Sequence, residues 1–162
     1  MAALAAAACR RASAPPPSTR QQTFTDLSLS QSEKGEPAWT LRARRAFLHE
    51  DEHRADLESP TMEFYQDGKP SSRIVARGGA VDTATHDVLL STDVVVDSFS
   101  DKSHLTTETL TYTAKTGLLT TDRAVTIRRP DGVVRGRGLS AKPDLSEMTL
   151  DDQHAVMSGR DE

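Results

Sequence analysis

Cysteine is nearly missing from this chain: Cys9 is the single one in 162 residues. An internal disulfide and any multi-cysteine metal site are thereby excluded. Aromatic residues are scarce, with one Trp, two Tyr and four Phe, and apolar residues make up 36%, below the usual globular share. A compact core must therefore rest on Val, Leu and Ile, or the fold must be shallow and open. No run reaches the roughly 18–20 apolar residues of a membrane helix. A basic surplus is lacking too. The net charge is −4, which argues against general nucleic-acid binding, because that needs cationic side chains to displace counterions from phosphate. Arg10, Arg11 and Arg20 lie in the first twenty residues, so the remainder is more acidic still. A helical stripe is absent from every window of eleven residues or more. The best candidate, residues 42–56 (RARRAFLHEDEHRAD), carries charge on all faces and reads as strand, polar loop, strand.

What is present divides the chain into four parts. Residues 1–9 (MAALAAAAC) end in small residues before Cys9, as a bacterial lipoprotein signal does. The basic n-region is missing and the apolar stretch is short, so a truncated signal is the expectation, with Cys9 as the lipidation candidate. An acyl chain there would tether the protein, each buried CH₂ contributing about 0.8 kcal/mol. Residues 10–22 (RRASAPPPSTRQQ) form a linker, extended by Pro15–Pro17. Residues 23–158 form a single domain, and residues 159–162 a tail.

Within the domain the apolar period is two. Trp39, Leu41, Ala43 and Phe47 alternate with polar neighbours, with Arg45 marking a bend or an end. Met62 and Phe64 alternate likewise, as do Ile74 and Ala76, Val94 and Val96, Leu110 and Tyr112, and Val125 and Ile127. This is the signature of half-buried strands. Turn signals fall between the runs at Asp67-Gly68, Gly78-Gly79, His86-Asp87, Thr116-Gly117, Pro130-Asp131-Gly132 and Pro143-Asp144. The spacing predicts roughly twelve to fifteen short strands in a sandwich, roll or solenoid.

Candidate chemistry is thin. His49 and His53 bracket an acidic run, but on extended chain they stand about 13 Å apart and cannot share one ion without a tight loop; a solvated hairpin loop is the better reading. No Gly-x-Ser-x-Gly elbow occurs. Gly136-Arg137-Gly138 is not followed by a helical pattern, so it cannot form a strand–loop–helix phosphate cradle. No cofactor, metal or catalytic set is expected. The informative feature is aliphatic residues spread evenly over many strands. They would either fill a closed sandwich or line an apolar slot.

The order of motifs resembles a known family. Trp39-x-Leu41-x-Ala43 is followed by Pro60-Thr-Met-Glu-Phe64-Tyr65-x-x-Gly68, then by Ser71–Gly79 and Val94-Val-Val. Next come Leu105-Thr-Thr107-Glu-Thr-Leu110-Thr-Tyr112, Leu119-Thr-Thr-Asp122-x-x-Val125-x-Ile127 and Gly136-x-Gly138-Leu139-x-Ala141. This set, over about residues 38–150, is similar to the LptC family of lipopolysaccharide transport and to the related LptA/OstA-like domains. The resemblance implies an all-β fold, a twisted open β-jellyroll of stacked antiparallel strands. It implies a non-enzymatic carrier in the periplasm, tethered to the inner membrane, taking lipopolysaccharide from an inner-membrane ABC transporter and passing it to an LptA-like protein. Family members usually carry an N-terminal membrane helix, for which this sequence offers only Cys9. The implied lipid-lining interior is Leu41, Phe47, Phe64, Ile74, Val94, Val96, Leu105, Leu110, Tyr112, Val125, Ile127 and Leu139. The implied docking edge towards the LptA-like partner includes Gly136, Gly138 and Leu150, with the run from Phe24 to Leu41 facing the transporter. The competing expectation is a structural or binding β-sandwich lipoprotein with a closed core.

Overall fold

The computed structural model describes residues 21–157; Cys9, the linker up to residue 20 and the tail lie outside that range. Twelve strands are present: β1 (Gln21–Glu33), β2 (Glu36–His49), β3 (Arg54–Glu58), β4 (Thr61–Gln66), β5 (Lys69–Val75), β6 (Gly78–Asp82), β7 (Val88–Ser98), β8 (His104–Thr113), β9 (Leu118–Arg129), β10 (Gly132–Ala141), β11 (Met148–Leu150) and β12 (His154–Met157). The one helical element among the described residues is the 3-10 turn Glu50–Glu52. All pairings are antiparallel and join one sheet. Val, Ile and Thr, stiff at χ1, suit the extended backbone.

The registers show how this sheet is made. β3 and β4 pair with β2 in one unbroken register, from His49↔Arg54 to Trp39↔Phe64. They are one long strand kinked at Ser59-Pro60. β5 and β6 likewise form one strand, kinked at Ala76-Arg77, and both lie on the same flank of β7. Each long strand is thus interrupted near its middle. The interruptions line up as a spine across the sheet: Asp26, Ser59, Thr92 and Asp93, and Gly138, all with positive φ, alongside register shifts in β7, β8–β9 and β10. Backbone bonds cross the spine, Ser59 N–H donating to Arg77 O and Arg77 N–H to Thr92 O. Bulges bend strands and sharpen twist, so the sheet folds over along this line like a book. The two leaves meet face to face: Tyr112 of one packs edge-on against Trp39 and Phe64 of the other, with ring centroids 6.1 and 5.1 Å apart. This is the twisted open jellyroll. Among the described residues the sheet does not close on itself; β1 ends it on one side and β11 with β12 on the other.

Two sequence expectations need correction. Gly78-Gly79 is not a turn but the start of β6. A Cβ on Gly79 would stand 2.5 Å from the Leu89 carbonyl oxygen, so glycine is there for close strand approach. Phe47 does not join the interior. The kink after Ala43 shifts the inward set from odd to even numbers, so Ala46 is buried and Phe47 is half-exposed on the outer face, opposite Asp56.

The turn between β6 and β7 shows how a carboxylate holds a tip. Asp82 Oδ1 accepts hydrogen bonds from Ala84 N–H (2.8 Å) and Thr85 N–H (2.9 Å). The Thr85 and Ala84 amides hold its carboxyl below the ordinary value of 3.8, against slight desolvation. A depressed folded pKa contributes stability above the unfolded value and loses it as pH falls through the folded one. Asp82→Ala is therefore expected to lower the urea midpoint by a constant amount well above pH 3.8. The gap should narrow as pH drops below that value. A gap independent of pH down to 2 would refute the assignment.

Candidate functional site

The site is the face on which the book closes. In an antiparallel sheet, directly paired residues point to the same side, so the registers can be followed strand by strand. One row runs Leu29, Leu41, Met62, Ile74, Val96, Leu105, Ile127, Val134. It crosses β1 to β10 without a polar side chain. The six central members are fully buried. At ~4.8 Å per strand the row spans about 34 Å. On the opposing leaf a second row runs Leu48, Ala55, Val81, Val88, Tyr112, Leu119, Ala141, Met148. The two rows face each other, perpendicular to the strands, the first from β1 to β10 and the second from β2 to β11.

The outer face reads oppositely. Glu63, Arg73, Asp97, His104 and Arg128 are successive register partners, with Arg73 Nη2 2.9 Å from Glu63 and His104 Nδ1 2.6 Å from Asp97. The Tyr65 hydroxyl, donating to Glu63 at 3.0 Å, holds that carboxyl below its ordinary value, with Arg73 adding to the effect against burial. Inside, burial pushes the Tyr112 hydroxyl up, partly offset by a bond from Trp39. One face is charged and wet, the other apolar and dry.

Eleven of the twelve residues assigned to the interior from sequence lie in one buried cluster; Phe47 is the exception. The interior set expected from sequence omits Met62, Val88, Leu90, Leu119 and Leu145, all fully buried. Met62 was legible from its alternation with Phe64; Leu145 follows a Pro-Asp turn signal and shows no period at all. Gly136 and Gly138 lie on β10, one strand in from the edge, because β11 and β12 pair with its outer side. Leu150 lies on β11, at the edge itself. The glycines serve packing: a Cβ on Gly136 would stand 3.2 Å from Asp151 O, and Gly138 has φ +77. His49 Nε2 lies 3.1 Å from Asp56, while His53 caps the 3-10 turn with φ 49, so the two histidines do not share a helical face.

The interior is filled by the protein's own side chains, yet its two ends differ. Phe24 and Leu29 on β1 point to the inner face, as their partners Ala46 and Leu41 do, but are 42% and 38% exposed. They stand beyond the reach of the opposing leaf. At the other end Val134, Met148 and Leu150 pack against the core. No helix among the described residues is long and apolar enough to cross a membrane. Among curated proteins none matches the chain. The sequence model of the family described as "Lipopolysaccharide-assembly, LptC-related" matches residues 8–156. With that match over nearly its whole length, and with an all-β book whose inner face carries an unbroken apolar row, the chain belongs to the LptC-related family of lipopolysaccharide-assembly proteins.

Proposed function

We propose that the chain is a non-enzymatic carrier whose inner face conducts the acyl chains of lipopolysaccharide from the β1 edge to the β11/β12 edge. The observation that carries this reading is the row from Leu29 to Val134, apolar at every strand. Each exposed CH₂ costs about 0.8 kcal/mol in water, roughly 10 kcal/mol for a dozen-carbon chain. A dry path removes that barrier with no bond made or broken. The exposed Phe24 and Leu29 suit the loading side. Among the described residues their 13-residue strand has one neighbour, β2, and the N–H and C=O groups on its outer side can take a further strand. An inner-membrane ABC transporter is the donor in this reading and an LptA-like periplasmic protein the acceptor at the β11/β12 edge. Residues 1–9 supply a tether to the inner membrane, with Cys9 as the lipidated residue; mass spectrometry of membrane-fraction protein tests that point.

The filled interior favours a second reading, a binding or structural module with a permanently closed core. One experiment separates the two. A photo-crosslinking residue at Phe64 or Ile74 is expected to capture lipopolysaccharide in cells. Failure at these and several further interior positions would leave the closed module standing.

A further inference from the structure

The interior must open for any acyl chain to enter, and the leaves are joined by a spine on one side only. On the side opposite the spine, strand tips of the two leaves meet at a seam. An open cleft of about 320 Å³ lies there, lined by Phe64, Tyr65 and Ser71 of one leaf, Leu118 of the other, and Lys142 and Asp144 of the loop after β10. That volume is at the small end of ligand pockets, roughly 300–1,000 Å³. Phe64 forms its floor and touches Tyr112, which touches Trp39.

The loop over this cleft, residues 142–147, is bonded almost entirely to itself. Lys142 N–H donates to Glu147 O, Leu145 N–H to Lys142 O, and Ser146 to Asp144, while the Lys142 ammonium pairs with Glu147 at 2.9 Å. Among the described residues one side-chain hydrogen bond ties the loop to the far leaf: Ser98 Oγ donates to Asp144 O at 2.6 Å. Leu145 holds φ +59, a left-handed conformation that non-glycine residues adopt at a cost. It is nonetheless fully buried. A strained loop residue that seats an aliphatic chain in the core behaves as a stopper. Beside the same seam, Ser72, the register partner of both Phe64 and Ser98, has a fully buried hydroxyl with no hydrogen-bond partner among the described residues, so packing there is already imperfect.

We infer that this cleft is a side entrance for a single acyl chain, with the 142–147 loop as its latch and Leu145 standing where the first carbons of the chain would go. The inference rests on the carrier reading above and adds where the closed book opens. A self-bonded loop, held across the seam by one side-chain hydrogen bond and by the seated Leu145, can swing as a unit without unfolding β10 or β11 once that side chain leaves. The ligand class is a linear saturated chain: Phe64, Tyr65, Leu118 and Pro143 give the cleft an apolar side leading to the core, while Gln66, Ser71, Thr116, Lys142 and Asp144 make the rest of its lining polar, suited to a head group left in water.

Trp39, the sole tryptophan, reports entry directly, because a brominated fatty acid quenches it on contact. Stopped-flow quenching is measured on the full chain with bromododecanoate, for wild type, Ser98→Ala and Leu145→Gly, each below its own thermal transition. Ser98→Ala is expected to quench at least fivefold faster at unchanged final amplitude. Leu145→Gly should raise both rate and amplitude. If Leu145→Gly does not fold, the Ser98→Ala rate decides alone. Wild-type rates in the folded variants overturn the side entrance. If lipopolysaccharide is still captured at Phe64 in that case, loading through the β1 edge stands. If capture also fails, the carrier reading falls with it.

Discussion

Leu105→Ala is expected to destabilise the fold by about 3–5 kcal/mol, read as a lower urea midpoint at unchanged slope. Leu105 is fully buried, and so are its register partners Val96 and Ile127. It sits at mid-sheet, where β7, β8 and β9 are flanked on both sides, so neighbouring backbone cannot collapse into the space left. Most of the lost transfer energy and the cavity term should therefore both appear. Leu105→Met, which conserves volume, should cost less than about 1.5 kcal/mol. The contrast tests the filled core specifically. If an empty groove ran past Leu105, its truncation would enlarge a space already present, and the two variants would differ by little.

The strands that alternate strictly were legible because period two survives whenever one face is dry and the other wet. Val94 and Val96, Leu110 and Tyr112, and Val125 and Ile127 are inward as the alternation requires. What was not legible was the spine. A bulge inserts residues without a composition signal, and it shifts the inward parity. The kink after Ala43, which leaves the register unbroken, shifts parity with as little signal, and that is how Phe47 was assigned to the interior while Ala46 occupies it. The same blindness turned Gly78-Gly79 into a turn: two glycines mark a break in the chain as readily as a close approach, and only the Leu89 carbonyl decides between them. β1 was hard to see for another reason. As an edge strand with its inner face half uncovered, it needs few large apolar residues. Most of the buried cluster was legible residue by residue, Phe47 apart, but its form as two facing rows was not. Row membership depends on register between strands far apart in sequence, and a single chain read linearly carries no register.

Register also yields the largest functional effect expected of this molecule, because it gives the track two distinguishable ends. Leu29→Asp places a carboxylate at the β1 end, on a side chain already 38% exposed. Val134→Asp places one at the β10 end, on a side chain half-buried against the core. The first should cost the fold within about 0.5 kcal/mol, as surface changes do; the second somewhat more. Under the carrier reading, both obstruct transport strongly. A hydrocarbon chain sliding past a carboxylate strips water from the charge, a penalty of several kcal/mol, and every ~1.4 kcal/mol is tenfold. At least a tenfold loss of lipopolysaccharide delivered to an LptA-like acceptor is expected from each. The two should differ upstream. Leu29→Asp acts before loading, so lipid captured by a photo-crosslinker at Ile74 should fall along with delivery. Val134→Asp acts after loading, so capture at Ile74 should hold or rise while delivery falls. Leu29→Asn and Val134→Asn, polar without charge, should lie between each variant and wild type. A carrier loaded at its β1 end must show this asymmetry; chains entering at the seam would leave capture at Ile74 unchanged by Leu29→Asp. If capture at Ile74 responded identically to both charges, chains would not be moving along the row from β1 to β10.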